Sequence, residues 1–216
     1  MPELPEVEHL RRSLDPVLVG ARLHTVTVRR RSVVECGAHD GRTATSAQRL
    51  SEALLVDRTI VATHRRGKQM ALEADNGRVL VVQLGMTGSM TIEADAPPRG
   101  MEARHRHVLW DFSPAAPAGV RWRLAFRDPR RFGGLTAYPS LQALHGAWKS
   151  LGPDALTISA TDFANALLRT RRPIKAALLD QALVAGVGNI YADESLHLAG
   201  IDPRTRCDRI DGDRVS

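Results

Sequence analysis

Cysteine is nearly missing from this 216-residue chain, which has only Cys36 and Cys207, far apart in sequence. They form no CxxC pair and no zinc-type spacing, so no metal site is expected. No apolar run approaches the roughly 18–20 residues of a membrane span. No secretory leader opens the chain either, so a cytoplasmic protein without a membrane partner is expected. Aromatic residues make up only 4% of the sequence, which leaves Leu, Val and Ala to build most of a core. Lysine occurs only at Lys68, Lys149 and Lys175, so almost all of the 30 basic residues are arginine. GxxxxGK[ST] is absent, which argues against a nucleotide-binding P-loop. There is no internal repeat or low-complexity tract.

A formal charge of +6 accompanies that arginine content. It fits a polyanionic partner, and guanidinium suits bidentate phosphate contacts. A bias in codon usage would give the same arginine excess. The length allows one large domain or two small ones.

Met1-Pro2-Glu3-Leu4-Pro5-Glu6 supports two readings that hold together. One is a helix start, with Pro5 at the first helical position and Glu6 and Glu8 facing the positive end of the helix dipole. Val7, Leu10 and Leu14 then form its apolar face. The other is chemical. Removal of Met1 leaves Pro2 as a terminal secondary amine, and the ordinary α-amino pKa of about 7.7–8.0 keeps a useful fraction neutral and nucleophilic near pH 7. Condensed with a sugar carbon, it becomes an iminium with no N–H to lose, a permanently charged electron sink. Glu3 serves as general acid/base, with Glu6 close behind.

Pro16 is expected to kink or end that helix. Leu23–Arg29 alternates as a half-buried strand. Residues 37–48 read as a loop and Gln48–Leu55 as a short helix. Further strands are expected at Thr59–Ala62, Met70–Glu73, Val79–Leu84, His107–Phe112 and Arg121–Phe126, with Asn76-Gly77 as a hairpin turn. Residues 94–101 read as a surface loop. After about residue 140 helices take over, at Ser140–Leu151, Thr161–Thr170, Ile174–Leu183 and Ile190–Ala199. The expected class is α+β. An antiparallel β-sandwich or barrel with an N-terminal helix occupies 1–138, and a helical domain occupies 139–216.

Several blocks carry chemistry. Arg65-Arg66-Gly67-Lys68 is a basic turn between strands, by composition a solvated loop. Gln83-Leu84-Gly85-Met86-Thr87-Gly88-Ser89 has glycines that allow a tight turn lifting Met86 out of the fold, or simply a core methionine beside a turn. His105 and His107 share a strand face at i and i+2, but no third metal ligand is apparent. Asp128-Pro129-Arg130-Arg131-Phe132-Gly133-Gly134 is a loop offering guanidiniums and a ring for base edges and stacking, or a salt-bridged turn around Asp128. Gly186-Val187-Gly188-Asn189 opens a helix whose N–H groups suit a phosphate, with Asn189 also a candidate N-cap. Arg171 and Lys175, assigned to the preceding helix, are further phosphate contacts.

Met1–Glu8, the Gln83–Ser89 and Asp128–Gly134 blocks, Leu151-Gly152-Pro153-Asp154-Ala155-Leu156 and the Ile174–Glu194 stretch together resemble the bacterial formamidopyrimidine-DNA glycosylases. The resemblance runs over nearly the whole chain. It implies a bifunctional DNA glycosylase and AP lyase that excises oxidised purines from damaged double-stranded DNA through a Pro2 Schiff base and β-elimination, acting as a monomer. It further implies a helix–two-turn–helix element in the second domain and strand-cleavage and DNA contacts for Lys68. Met86, Arg130 and Phe132 would fill the gap left by an extruded nucleotide, Arg130 facing the orphaned base, while His105 would contact DNA.

The family normally continues into another helix and a four-cysteine zinc finger with a late DNA-contacting arginine, for which this sequence supplies no ligands. A shortened member needing no cofactor is therefore expected, with weaker DNA binding and the second, δ-elimination cut in doubt. A fragment, a frameshifted gene and a natural finger-free variant fit equally. Alternatives to turnover on purines are a lesion-binding module without catalysis, an oxidised-pyrimidine enzyme like endonuclease VIII, and a generic basic nucleic-acid binder.

Overall fold

The structure, a computed structural model, describes residues 2–36, 42–43, 46–93, 104–116 and 119–210; the side chains of Cys36, Arg42 and Thr43 are also outside the description. The loop expected at 94–101 and most of that at 37–48 fall outside the described residues. The chain divides into two compact units, Met1–Arg65 with Gln69–Ala147, and Arg66–Lys68 with Trp148–Ser216.

The first unit opens with α1 (Leu4–Leu18). Leu4 is its first residue and Pro5 its second, and Glu3 is the N-cap in a reciprocal capping box with Glu6. Val7, Leu14 and Leu18 bury its apolar face. Of the two effects expected of Pro16, it does not end this helix, which runs on to Leu18 and closes when Val19 N–H donates to Asp15 O at 3.0 Å. A proline one turn from the end costs a single backbone donor, which the packing of Leu14 and Leu18 offsets.

Strands follow: β1 (Arg22–Val28), β2 (Val34–Cys36), β3 (Arg42–Thr43), then α2 (Ala47–Ala53), β4 (Ile60–Arg66), β5 (Gln69–Ala74), β6 (Val79–Gln83), β7 (Ser89–Glu93), β8 (Arg106–Ser113), β9 (Trp122–Arg127) and β10 (Gly134–Tyr138). They form two sheets, ordered β1-β8-β9-β7 and β3-β2-β10-β6-β5-β4. The smaller sheet is antiparallel throughout. In the larger one β10 pairs β2 in parallel and β6 antiparallel. β2, β3, β7 and β10 were not expected from the sequence.

One core joins both sheets and the helices: Trp110, Phe112, Leu124 and Phe126 from one, Met70, Leu72, Leu80 and Leu135 from the other, with Leu18 and Leu54. Trp110 is wholly buried, and its indole N–H donates to Leu54 O at 2.9 Å, so the largest side chain is packed without an orphaned donor. Burial of side chains of this size supplies roughly 1.5–3 kcal/mol each. The 75–78 turn joins β5 to β6 with Gly77 at φ +78°, as its Asn-Gly sequence requires. α3 (Leu141–Trp148) carries the chain to the end of the unit at Ala147.

The second unit contains α4 (Ala160–Leu168), α5 (Ile174–Leu178) and α6 (Asn189–Leu198) around Leu167, Ile174, Ala177, Leu178, Ala192, Leu196 and Cys207. α5 is much shorter than the helix expected over 174–183. Asp180 interrupts it, accepting from Ala182 N at 2.9 Å and from Arg172 at 2.9 Å, as an Asx turn does.

Candidate active site and nucleic-acid interface

At the N-terminus Pro2 is half-buried and the Glu3 carboxylate is fully buried. Glu6 Oε2 accepts the Glu3 backbone N–H at 2.8 Å, so the residue after Pro2 is fixed by the first turn of α1. The structure therefore brings Pro2, Glu3 and Glu6 together. With Met1 removed, the Pro2 nitrogen would be a secondary amine one residue from a carboxylate shielded from water, the residue types that a nucleophile and its proton carrier need.

One turn on, Glu8 accepts from Arg11 (2.9 and 3.0 Å), Arg12 (2.7 Å) and Arg65 (2.9 Å). The Arg11 guanidinium, then Arg12 and Arg65, outweigh burial and lower its carboxyl to a pKa of about 2. Sequence reading placed Glu8 only in the helix dipole and missed this cluster, because Arg65 is 57 residues away.

Met86, Arg130 and Phe132 are brought together. Met86 is exposed on the turn between β6 and β7, and Phe132 is exposed in the loop between β9 and β10. The backbones of these loops nearly touch: a Cβ on Gly85 would lie 2.4 Å from the Phe132 carbonyl carbon, and one on Gly133 would lie 2.5 Å from Gln83 O. The Arg130 guanidinium stands 4.9 Å from the Phe132 ring centre, a cation–π contact worth about 0.5–1 kcal/mol at an exposed site.

Asp128 organises this loop, but not as the salt-bridged turn that was one expectation. Its buried carboxylate takes Thr87 Oγ–H at 2.5 Å, Arg130 N–H at 3.2 Å and Gly133 N–H at 2.7 Å. Burial works to raise its pKa, yet the hydrogen bonds from Thr87, Gly133, Arg130 and Arg131 together hold it below the usual value.

His105 is exposed, at φ +61°, and precedes β8 rather than lying on it, so it does not share a strand face with His107. His107 is buried, its Nε2–H donating to Asp128 O at 2.7 Å. His105 O in turn accepts Asp128 N–H at 3.1 Å. Both histidines thus brace the same loop.

Lys68 lies at the β4–β5 tip, within the second unit. Beside it, Gly67 N–H donates to Asp154 Oδ2 at 2.8 Å, and a Cβ on Gly67 would stand 3.1 Å from Ala185 Cβ and 3.3 Å from Gly186 N. The basic turn therefore meets the glycine turn before α6. Gln181, which the sequence did not single out, holds that turn. Its Oε1 accepts Gly186 N–H and its Nε2–H donates to Val187 O, both at 2.9 Å.

Two expectations in this unit are corrected. The N-cap of α6 is Gly188, and exposed Asn189 is the first helical residue. Arg171 lies between α4 and α5, not on a helix; it is highly exposed and 3.8 Å from Asp208. Lys175 lies on α5, as expected, and its ammonium pairs with Asp193 at 2.7 Å.

The Formamidopyrimidine-DNA glycosylase N-terminal domain family profile matches residues 1–135, and the Formamidopyrimidine-DNA glycosylase H2TH domain profile matches residues 151–216. The chain belongs to the formamidopyrimidine-DNA glycosylase family. A formamidopyrimidine-DNA glycosylase of Mesorhizobium japonicum is 40% identical over 214 residues, covering 94% of this chain and 68% of the relative. One of Xanthomonas campestris pv. campestris is 42% identical over 217 residues, covering 99% and 72%. The Lactococcus lactis formamidopyrimidine-DNA glycosylase bound non-covalently to DNA containing an AP site superposes with a TM-score of 0.82 at 28% identity, covering 99% of this chain and 76% of that one. MutM in complex with DNA containing carbocyclic 8-oxo-G gives 0.82 at 29%, covering 99% and 74%.

Cys207 is buried in the helical core, and no three metal-ligating side chains cluster among the described residues. Nor, among them, is any helix long and apolar enough to cross a membrane.

Proposed function

We propose that this DNA glycosylase removes oxidised purines from duplex DNA and then cuts the strand, with Pro2 as its nucleophile. Its family membership makes it an enzyme of base excision repair that binds DNA. Once Met1 is removed, the Pro2 nitrogen attacks C1′ of the damaged nucleotide, the bond from C1′ to the base breaks, and the proton lost from the Pro2 nitrogen leaves with the base. Glu3 supplies a proton to the opening sugar ring, giving an iminium, and removes the proton at C2′. The electron pair released there expels the 3′ phosphate. Glu6 holds the terminus, and Lys68 contacts a phosphate and protonates the leaving group. The iminium is the electron sink, so these steps need no metal.

Met86, Arg130 and Phe132 fill the gap left by the extruded nucleotide, with Arg130 facing its former partner. His105, Arg171 and Asn189 contact the backbone, and Lys175 joins them by exchanging Asp193 for phosphate. The chain acts as a monomer in the cytoplasm, where a bacterial chromosome lies.

The observation that carries this reading is the buried Glu3 carboxylate, one peptide bond from Pro2 and pinned by α1. Borohydride reduction in the presence of abasic-site duplex tests it. A covalent adduct at Pro2 is expected, lost in Pro2→Gly or when Met1 is retained. DNA binding with no adduct overturns the mechanism and leaves a lesion-binding module. Excision of oxidised pyrimidines in preference to 8-oxoguanine would reassign the substrate.

A further inference from the structure

The connections carrying Met86 and Phe132 are neighbours by topology. β6 pairs with β10 in one sheet, Gln83 opposite Gly134, and β7 pairs with β9 in the other, Ser89 opposite Arg127. The β6–β7 and β9–β10 connections therefore cross between the sheets side by side. Two such crossings could still move independently. Here they are fastened: Thr87 Oγ donates to Asp128 Oδ1 at 2.5 Å and accepts from Arg130 N–H at 3.2 Å. Asp128 Oδ2 accepts from Gly133 N–H at 2.7 Å. The carboxylate is fully buried, so water does not compete for it. Gly85 and Gly133 permit the backbones to approach closely enough for these bonds to form.

We infer that Thr87 and Asp128 are positioning residues that join the two crossings, so that Met86, Arg130 and Phe132 enter the duplex as one preorganised body. This rests on the gap-filling reading above. Neither residue touches DNA in this scheme; they set the spacing of the side chains that do. Preorganisation of this kind removes the ordering cost of two separate loops at the moment of insertion. Thr87 is the better test position, because Val keeps its shape and removes only the hydroxyl.

The experiment uses a duplex with 2-aminopurine beside a tetrahydrofuran abasic analogue, which reports unstacking without any covalent chemistry. Saturating wild-type protein is expected to raise the fluorescence. Thr87→Val should lose at least half of that rise, and Thr87→Ser should keep it. In single-turnover excision of 8-oxoguanine from duplex, Thr87→Val should be slower tenfold or more, since small misplacements are costly. Its adduct formation with a single-stranded abasic oligonucleotide, which has no gap to fill, should fall by far less.

A Thr87→Val rise equal to wild type overturns the proposal, as does the absence of any rise with wild type. Equal loss of duplex excision and single-strand adduct by Thr87→Val also overturns it, because the residue would then be merely structural. Failure of the Pro2 mechanism is a separate result: no adduct on either substrate, with the fluorescence rise intact.

Discussion

Glu8 accepts the Nε–H of Arg65 at 2.9 Å, tying α1 to the end of β4 across 57 residues of sequence. With its folded pKa near 2, below the ordinary 4.5, the carboxylate stabilises the fold above about pH 4.5. That stabilisation is lost as pH falls from there toward 2. Glu8→Gln should cost of the order of 2 kcal/mol at pH 7, less than a full shift of that size because Arg12 stays in contact with solvent. At pH 2 the cost should nearly vanish, which urea unfolding at the two pH values measures.

Glycine substitutions should divide by surroundings. Gly85→Ala puts a methyl group against the Phe132 backbone at a φ of +59° and should destabilise by about 2 kcal/mol or more. Gly146 is exposed within α3, and a methyl group added there would meet no atom within 4 Å, so Gly146→Ala should stabilise by about 0.5–1 kcal/mol. Thermal melts of the two variants decide this.

Gln181→Ala removes two side-chain bonds to the turn ahead of α6. A cost of about 1–3 kcal/mol is expected, since Gly186 N–H and Val187 O lose their partner. DNA affinity should fall further than this loss of stability alone accounts for. Fluorescence anisotropy at a temperature well below the variant's melt checks it.

Arg171→Ala should lower DNA affinity about equally for intact and damaged duplexes and reduce the salt slope of log K by about one. Arg171 is highly exposed, with its carboxylate neighbour at 3.8 Å, so little stability should be lost. Titrations at several salt concentrations supply the slope.

Much of this was legible in the sequence for specific reasons. Alternation marked β1, apolar runs between turn residues marked β8 and β9, the Asn-Gly pair marked the β5–β6 turn, and the succession of helix signals after residue 140 marked the change of architecture. β7 and β10 were hidden because Ser89 and Gly134 end blocks whose glycines read as turns. Pairing across sheets, not local propensity, makes them strands. Pro16 did not end the helix because its cost depends on how far the helix has to run beyond it. In the candidate site, residues with reactive or exposed side chains were visible by type. Thr87, Gln181 and the Glu8–Arg65 pair were not, since what they do depends on partners 41, 5 and 57 residues away that only the fold selects.

The capping pair at the head of α1 leaves a single residue, Pro2, between Met1 and a fixed backbone. There is no slack to absorb an addition at that end. On the Pro2 mechanism proposed above, a purification handle fused ahead of Met1 would give a folded, DNA-gripping but chemically silent protein, whereas one placed after Ser216 would leave the amine to be uncovered by removal of Met1. If that mechanism holds, the position of the tag sets whether a sample is active.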